Sequence, residues 1–430
     1  MDVRGLSAET RSARGNVNSM MKTTASLIAT AFALLLLTSA CGSGGGGTST
    51  PSATPPPTPV PTPAFGLKSE LVTAAADAAT LAFAPDGRLF YAEQYTGDIR
   101  IVTSDGTPIP EPFAHIDTAH WLDYNKLDWG LTGLALDPDF ATNGYVYAFY
   151  TEAVDPNPSR PTAKPKLVRF TDENNRGVEV ETITQDFPET FLDHQGFQAT
   201  GNIHFGPDGF LYVTVGDYDQ GHTIGPNGVP YAQDLSTPIG KMLRLNKEDG
   251  TAPADNPLID EPGSDPRVFV YGFGQEYDFA FRPGTGQLYG TDNGDSCEEL
   301  NLIRPGDNYG SPPEGSFPYS DCTSDTYVNG IYFLARPGME AGQFQSATNV
   351  SSLAFVSAVA YPPLGDSLIL CEFATRLLRR LTLAAPNFDQ VSADDVVAFD
   401  CNFGIAVSPD GIIYYSNDKE IRRLAVQLQS

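Results

Sequence analysis

A short pattern of apolar and polar positions recurs six times between residues 81 and 418. In each copy, a strand of small or apolar residues enters a turn rich in Pro, Asp and Gly and leaves through a strand with alternating apolar positions. Pro fixes the first dihedral of such a turn, Asp and Gly accept the others, and the alternation is typical of a strand, so each copy predicts a β-hairpin. The copies are LAFAPDGRLFYAE (81–93), GLALDPDFATNGYVYAFYTE (133–152), IHFGPDGFLYVTVGD (203–217), FAFRPGTGQLYGTDNG (279–294), AVAYPPLGDSLILCEF (358–373) and IAVSPDGIIYYSND (405–418).

The regular return of this hairpin predicts the fold class. One hairpin cannot bury both faces of its sheet, whereas repeated four-stranded units arranged around an axis bury their faces against one another. We therefore predict an all-β fold, a six-bladed β-propeller of four-stranded antiparallel sheets, which occupies residues 66–430 as one domain.

The first 41 residues have the layout of a secretory signal. An uncharged apolar run extends from Ala25 to Leu37, and the small residues after it end at Cys41. Small residues before a cysteine resemble the site at which bacterial lipoproteins are cleaved and lipidated. We predict lipidation of Cys41, with ordinary export or an uncleaved anchor as alternatives, and translation could start at Met20 or Met21.

A segment rich in Gly, Ser, Thr and Pro separates Cys41 from the propeller. Residues 42–65 contain almost nothing that could be buried and pass from Gly-rich to Pro-rich composition, which predicts a disordered tether. The predicted localisation is therefore extracytoplasmic: an exported, membrane-attached lipoprotein that faces outward and touches the membrane only through its lipid.

The formal charge of −27 at pH 7 limits the partners of the chain. Nucleic acid and anionic lipid surfaces would be repelled, whereas cations and neutral ligands would not. We therefore predict no nucleic-acid partner.

Four cysteines remain besides Cys41, and none has C-x-x-C spacing. Four cysteines in an exported domain predict two disulfides, for which three connectivities exist. The pairs that are local in sequence are favoured, Cys297 with Cys322 and Cys371 with Cys401.

Ordered motifs in the second half of the chain resemble one known family. The motifs are GPDGFLYVTVGD (206–217), AQDL (232–235), GKMLRLN (240–246), ADNP (254–257), VYGFG (270–274), EELNLI (298–303) and GDNYG (306–310). In this order they resemble the glucose/sorbosone dehydrogenase family of soluble quinoproteins, from about residue 66 to the C-terminus. The resemblance implies a six-bladed propeller that binds pyrroloquinoline quinone (PQQ) and calcium, oxidises a small-molecule sugar by hydride transfer and passes electrons to an external acceptor.

The resemblance also implies a general base and its partner. Asp193-His194-Gln195 matches the start of the family stretch with the catalytic His, so His194 is the candidate base for the sugar hydroxyl. An ungapped comparison, counted back from GPDG, places Gln198 there instead, and Gln cannot act as a base. Asp217 matches the family Asp that orients the His, or it bonds turn amides at a strand end.

Other positions correspond to contacts with the quinone. The family run Tyr-Gly-His-Arg-Asn-Pro-Gln stands here as Tyr271-Gly272-Phe273-Gly274-Gln275-Glu276-Tyr277. In the family, the Arg and the Asn of this run contact the quinone; Gly274 replaces the Arg here, and Gln275 replaces the Asn. The loss of the Arg removes a positive charge from the place where the quinone becomes negative during the reaction. Arg376 lies near the family's Arg residues for the cofactor carboxylates and could compensate, or it is a solvated strand end.

Two calcium positions follow from the resemblance. Backbone carbonyls of Gly294 and Asp295 correspond to the ligands of the ion that contacts the quinone, and Asp295 could add a carboxylate. Glu299, through its carboxylate, and Tyr309, through its carbonyl, correspond to a structural calcium site; alternatively, Glu299 caps a turn.

Three functions remain open at this stage. The first is a PQQ- and calcium-dependent dehydrogenase acting on an aldose sugar or related alcohol. The second is a quinone-free, calcium-stabilised propeller that binds a carbohydrate or a protein, which the residues at 274 and 275 and the lengthened His194 loop favour. The third is hydrolysis of a lactone or ester by a metal-bound water.

Overall fold

The structure, a computed structural model of the 430-residue chain, describes most of the region after the tether. The described residues are 66–119, 129–155, 162–191, 198–218, 227–294, 297–311, 322–343, 346–359, 361–362 and 364–426. The signal, Cys41 and the tether lie outside them, so these three features stay predictions.

The described strands form six antiparallel sheets, as the hairpin repeat predicts. The strands are β1 (Leu67–Ala74), β2 (Ala78–Phe83), β3 (Leu89–Glu93), β4 (Asp98–Val102), β5 (Ala114–His115), β6 (Leu131–Leu136), β7 (Tyr145–Asp155), β8 (Thr162–Asp172), β9 (Gly177–Thr184), β10 (Thr190–Phe191), β11 (Ile203–Phe205), β12 (Leu211–Val215), β13 (Lys241–Leu245), β14 (Val268–Tyr271), β15 (Glu276–Phe281), β16 (Leu288–Asp292), β17 (Glu298–Ile303), β18 (Tyr332–Leu334), β19 (Val350–Val356), β20 (Ser367–Glu372), β21 (Leu377–Leu383), β22 (Val391–Phe399), β23 (Ile405–Val407), β24 (Ile413–Ser416) and β25 (Glu420–Val426). A short helix, α1 (Phe140–Asn143), and a 3-10 turn (Tyr231–Gln233) complete the described elements.

The sheets are the six blades of a β-propeller. Blades 1 to 5 are β2–β5, β6–β10, β11–β14, β15–β18 and β19–β22, and blade 6 combines β23–β25 with β1. Blade 2 departs from the four-stranded prediction, because β9 and β10 both pair with β8. The pairing of β1 with β25, from Leu67 opposite Val426 to Ala74 opposite Glu420, closes the ring by joining its two ends in one sheet.

Five of the six predicted hairpins coincide with the first two strands of a blade. The turns fold as their residues predict: Gly87, Gly209 and Gly411 have φ of 82° to 87°, and each donates its N–H to the residue three positions earlier. The fifth copy was placed wrongly, since the strand before its turn is Val350–Val356 and not the segment that starts at residue 358. Its long turn contains apolar residues, which made part of the turn look like a strand.

The hydrophobic core is divided among the interfaces between blades. Every interface contains an edge-to-face or tilted aromatic pair whose ring centroids lie 4.9 to 6.5 Å apart, a geometry that aromatic rings favour. From the interface of blades 1 and 2 around to that of blades 6 and 1, the pairs are Phe90–Phe140, Tyr147–Phe205, Tyr212–Phe279, Tyr289–Phe355, Phe373–Phe403 and Tyr414–Phe83.

Buried hydrogen bonds link neighbouring blades around the axis, most of them at the first strand of each blade or the residues just before it. From blade 1 onward they are Thr80 Oγ1 to Thr132 O (2.6 Å), Thr132 Oγ1 to Gly201 O (2.9 Å), Asn202 Nδ2 to Asp278 Oδ1 (2.9 Å), Ser352 Oγ to Asp278 Oδ2 (2.8 Å), Ser351 Oγ to Phe403 O (2.9 Å) and Ser416 Oγ to Ala78 O (2.7 Å). We call this set the inner ring.

Asp278 is the most heavily bonded member of the inner ring and is 1% exposed. Besides Asn202 and Ser352, its carboxylate accepts bonds from the N–H groups of Phe279 and Leu353, and His204 Nε2 lies 2.7 Å from Oδ1. One side chain therefore connects blades 3, 4 and 5.

In the part of the chain that the structure describes, no helix is both long enough and apolar enough to span a membrane.

We expect Asp278→Ala to lower the free energy of unfolding by about 3 kcal/mol or more, because it leaves several buried donors without an acceptor. Urea denaturation would measure the loss. Asp117→Ala is the control, since the Asp117 side chain is fully exposed, and its effect should stay within about 0.5 kcal/mol. Equal midpoints for the two variants would show that the inner ring does not depend on this carboxylate.

Candidate functional site

The residues that resemble family site residues gather at one end of the propeller. In an antiparallel hairpin, the start of the first strand and the end of the second strand lie at the same end. Asp217 follows β12, Gly274 and Gln275 precede β15, and Gly294 follows β16. We call this end of the axis the site end.

Asp217 and Gly274, which are far apart in sequence, meet at the site end. The Asp217 N–H donates to the Gly274 carbonyl at 2.8 Å, and the Asp217 side chain is buried. The preceding Gly216 is required here, because a Cβ on it would lie 2.1 Å from the Gln198 carbonyl oxygen. Gln198, the alternative occupant of the base position, thus lies beside Asp217, whereas His194 lies outside the described residues and its role stays a prediction.

Gly274 stands where the family motif has an Arg, and a side chain at this position would be closely surrounded. A Cβ on Gly274 would meet nothing closer than Ser311 Oγ at 3.3 Å and Asp292 Oδ1 at 3.7 Å. The N–H groups of Gly274 and Gln275 donate to the two oxygens of Asp292 at 3.1 and 2.6 Å. The Gln275 residue is only 6% exposed, so it offers a ligand little surface.

Three carboxyl groups of blade 4 lie near Gly274. Glu276, Asp292 and Glu299 lie directly opposite one another on β15, β16 and β17. Burial raises the pKa of Asp292 to about 6, and burial together with the Asp292 charge raises the pKa of Glu299 to about 8. Burial raises the pKa of Glu276 well above its ordinary value, with Asp292 and Asp278 adding to the effect. We call these three side chains the acidic row.

Glu298, next to the acidic row, is a structural carboxylate. It is fully buried and accepts bonds from the N–H groups of Thr348, Asn349 and Val350 and from the Thr348 hydroxyl. Burial raises its pKa to about 7 although these donors favour the charged form. Glu298 therefore fastens the third strand of blade 4 to the start of blade 5.

The candidate calcium residues lie close to this region. Gly294 is packed tightly, since a Cβ on it would lie 2.6 Å from the Cys297 carbonyl oxygen, while Asp295 lies outside the described residues. The Tyr309 ring stacks on Phe273, with centroids 4.9 Å apart, and its hydroxyl donates to the Leu302 carbonyl. No group of three His, Cys, Asp or Glu side chains within the described ranges converges as metal ligands do.

Arg376 is engaged by two carboxylates. Its guanidinium lies 2.5 Å from Asp400 and 2.7 Å from Asp418. Burial acts to lower the pKa of Arg376, but the two carboxylates outweigh it and raise the pKa overall. Its backbone has φ of 58°, and the side chain is 40% exposed. Its charge is thus already balanced within the protein.

Several motifs of the family resemblance have structural roles. Gln233 of AQDL and Asn308 of GDNYG exchange amide hydrogen bonds of 3.1 and 2.7 Å. Lys241 of GKMLRLN is fully buried, and its Nζ donates to three backbone carbonyls. Burial lowers the Lys241 pKa to about 7. These motifs hold loops and leave no free charge for a ligand.

Both predicted disulfides are confirmed. Cys297 pairs with Cys322, with Cα atoms 5.3 Å apart, next to the loop that contains Gly294. Cys371 pairs with Cys401, with Cα atoms 5.4 Å apart, and joins blade 5 to the segment that enters blade 6.

Sequence reasoning missed Asp278, Asp292, Glu298 and a role for Glu276. The available signal was weak: acidic residues at the ends of strands that are otherwise apolar. The register that places Glu276, Asp292 and Glu299 in one row depends on the pairing of three strands, which the sequence does not state.

Comparisons with known proteins agree with the fold and the motifs. Residues 76–426 match the profile of the family described as Glucose / Sorbosone dehydrogenase. The chain is 28% identical over 267 residues to quinoprotein glucose dehydrogenase B of Acinetobacter calcoaceticus, which covers 58% of this chain and 52% of that protein. It is 29% identical over 209 residues to the mouse Hedgehog-interacting protein, which covers 43% of this chain and 27% of that protein.

A solved structure extends the similarity over the whole propeller. The crystal structure of an oxidoreductase (glucose dehydrogenase) from Thermus thermophilus superposes with a TM-score of 0.66 at 28% identity, covering 84% of this chain and all of that one. The chain spans about half the length of the curated relatives that it matches first. The profile match covers most of the chain, and the chain belongs to the glucose/sorbosone dehydrogenase family.

Proposed function

We propose that this chain is an exported sugar dehydrogenase that oxidises a hydroxyl of an aldose or related alcohol by hydride transfer to PQQ, with calcium at the site and an external electron acceptor. The contact between Asp217 and Gly274 carries the proposal, because it brings together the two motif segments that the family uses for the base and for the quinone. The family's quinoprotein glucose dehydrogenase supports the cofactor.

Among the described residues, the site end offers no uncommitted cation for the quinone. By the resemblance, residues 274 and 275 stand where the family contacts the quinone, and the Gly294 and Asp295 carbonyls would hold calcium. Arg376 could hold a quinone carboxylate only in competition with Asp400 and Asp418. When bound, PQQ supplies the hydride acceptor; His194 would remove the hydroxyl proton, and Asp217 would orient the His194 ring.

Export and lipid attachment belong to the same proposal. The signal-like segment and Cys41 support it, and two disulfides are typical of a protein that folds in an oxidising compartment.

A quinone-free, calcium-stabilised propeller that binds a carbohydrate or a protein is the second candidate. The missing guanidinium at Gly274 and the engaged Arg376 favour it, since no described cation at the site end is free for the quinone carboxylates. The match to Hedgehog-interacting protein supports a binding role for this propeller type.

Titration of the purified full chain with PQQ separates the two candidates. We expect calcium-dependent uptake at micromolar PQQ, followed by a change in the quinone absorbance when an aldose is added. Chain treated with EGTA is the control. Absence of uptake in both samples would reject the dehydrogenase and leave the binding function.

We expect Gly274→Arg to tighten PQQ binding about ten- to a hundred-fold, because one charge-assisted hydrogen bond contributes about 1.5–3 kcal/mol. A Cβ at residue 274 would lie 3.3 Å from Ser311 Oγ, so the Ser311 side chain must shift by a few tenths of an ångström to admit it. Gly274→Met, similar in length and uncharged, is the matched control. If both variants bind PQQ with the affinity of the unmodified chain, the quinone does not contact residue 274.

We expect Asp217→Asn to lower kcat for sugar oxidation about a hundred-fold with little change in KM, because it weakens a general base without removing a substrate contact. The Asp217 N–H contact with Gly274 does not depend on the side chain, so the fold should persist. Asp410→Asn, an exposed turn residue, is the control. A fall in apparent kcat that is fully accounted for by a loss of folded protein, measured by circular dichroism, would assign Asp217 a structural role only.

A further inference from the structure

A pocket of about 500 Å³ lies at the end of the propeller opposite the site end. Its walls come from the hairpin turns at Asp208 in blade 3 and at Gln287 in blade 4, and from the turn between β21 and β22 in blade 5. These turns lie at the other end of the strands from Asp217 and Gly274, so the pocket is separate from the site end. Its volume is in the range of pockets that bind small molecules.

The blade 5 turn is fastened to blade 4, which gives the pocket a fixed wall. Gln287 Nε2 donates to the Asn387 carbonyl at 2.9 Å, and the Tyr289 hydroxyl donates to the Phe388 carbonyl at 2.7 Å. The Arg282 guanidinium lies over the Phe388 ring, 3.6 Å from its centroid, where a cation–π contact is attractive. A ligand would therefore not have to order this turn, which lowers the entropy cost of binding.

The buried part of the lining is aromatic or aliphatic. Phe281, which is only partly buried, adds a second aromatic surface, and its ring packs edge to face on Tyr212 with centroids 5.0 Å apart. Apolar C–H groups of a ligand can pack against these side chains. The buried lining residues are Tyr212, Phe269, Leu288, Leu302 and Ile303.

Planar polar side chains surround this apolar part, and they carry unused hydrogen-bonding groups. Among the described residues, neither the Arg304 guanidinium nor the Asp389 carboxylate has an ion-pair or hydrogen-bond partner. The contact between Gln287 and Asn387 uses only Gln287 Nε2 and a backbone carbonyl, which leaves the Gln287 side-chain oxygen and the Asn387 amide for a ligand. The pocket thus offers both donors and acceptors.

The charges in the pocket balance. Asp208 is already bonded to the Arg244 guanidinium at 2.9 Å and to the Tyr212 hydroxyl at 3.0 Å. The unpaired charges that remain in the lining are one cation, Arg304, and one anion, Asp389. Asp389 and the net charge of −27 would repel an anionic ligand, and Arg304 would repel a cationic one. The lining therefore favours a neutral ligand with several hydrogen-bonding groups.

We propose that this pocket binds a hexopyranose unit of a carbohydrate. A pyranose ring has an apolar face of C–H groups, which suits the aromatic surface at Phe281, and hydroxyls that both donate and accept, which suit the planar polar groups around it. The proposal does not depend on the proposed function, because the pocket lies away from the site end. It would hold the chain on a glycan while the site end stays open.

Isothermal titration of the full chain with glucose, maltose, cellobiose and N,N′-diacetylchitobiose, without PQQ, tests the proposal. We expect a Kd of about 1 mM for at least one disaccharide, as for a small ligand in an open pocket, and about three-fold weaker binding of glucose. Arg304→Met keeps the length of the side chain and removes its donors, so it should raise the Kd about ten-fold. Absence of binding for all four sugars at concentrations about ten-fold above this Kd would overturn the proposal.

A blocking variant locates the bound sugar. Asn387→Trp should raise the Kd about ten-fold or more, because the indole would fill the pocket while the backbone contact with Gln287 remains. Gln390→Trp is the matched control, since Gln390 is an exposed residue of the same turn that does not line the pocket, and its Kd should be unchanged. An equal Kd for Asn387→Trp and the unmodified chain would place the sugar elsewhere and refute this site.

A measurement on the unmodified chain remains valid if a variant fails to fold. Crystals soaked in the disaccharide that binds most tightly should show a sugar ring between Phe281 and Arg304. Sugar density confined to the site end would contradict the proposal, whereas the PQQ titration tests the proposed function separately.

Discussion

The inner ring of buried hydrogen bonds is the constraint on which the rest of this structure depends. Hydrophobic contact between blades is non-directional, so it brings the sheets together without fixing how far each strand slides along the axis. Bonds such as Thr80 to Thr132 and Ser416 to Ala78 fix that position blade by blade. Asp278 does so for three blades at once, and a single misplaced blade would leave buried donors unsatisfied.

The site end inherits its geometry from this ring. Residues 274 and 275 directly precede β15, which begins at Glu276. Asp278, which the inner ring anchors, lies two residues further along the same strand. Asp217 follows β12 and Asp292 ends β16, and both strands pair with the first strand of their blade in defined register. Their carboxyl groups are therefore held at fixed positions before any ligand arrives. This rigidity explains how Glu298 stays buried and how Asp292 is held, since converging backbone N–H groups are kept in place to receive both carboxylates.

Local chemistry made most of the fold predictable, and long-range register made the site difficult to predict. Pro-Asp-Gly turns specify hairpins within about ten residues, which is why Gly87, Gly209 and Gly411 were placed correctly. Local cysteine pairs were predictable for the same reason. The fifth turn failed because an apolar stretch such as Ala358-Val359 carries no signal that separates turn from strand. The acidic row requires three strands in register, and one partner of Arg376, Asp418, comes from blade 6, so neither follows from spacing along the chain.

The charges at the site end distinguish this chain from the motif it resembles. Gly274 stands where the family motif has the Arg that contacts the quinone, and Glu276 stands where it has Pro, so the charge beside Asp292 is more negative in this chain. Glu276 is buried without a hydrogen-bond donor among the described residues, so a proton or a cation has to compensate its charge. The same requirement holds whether the propeller oxidises a sugar or binds one, so the identity of the positive group has to be settled before the identity of the ligand.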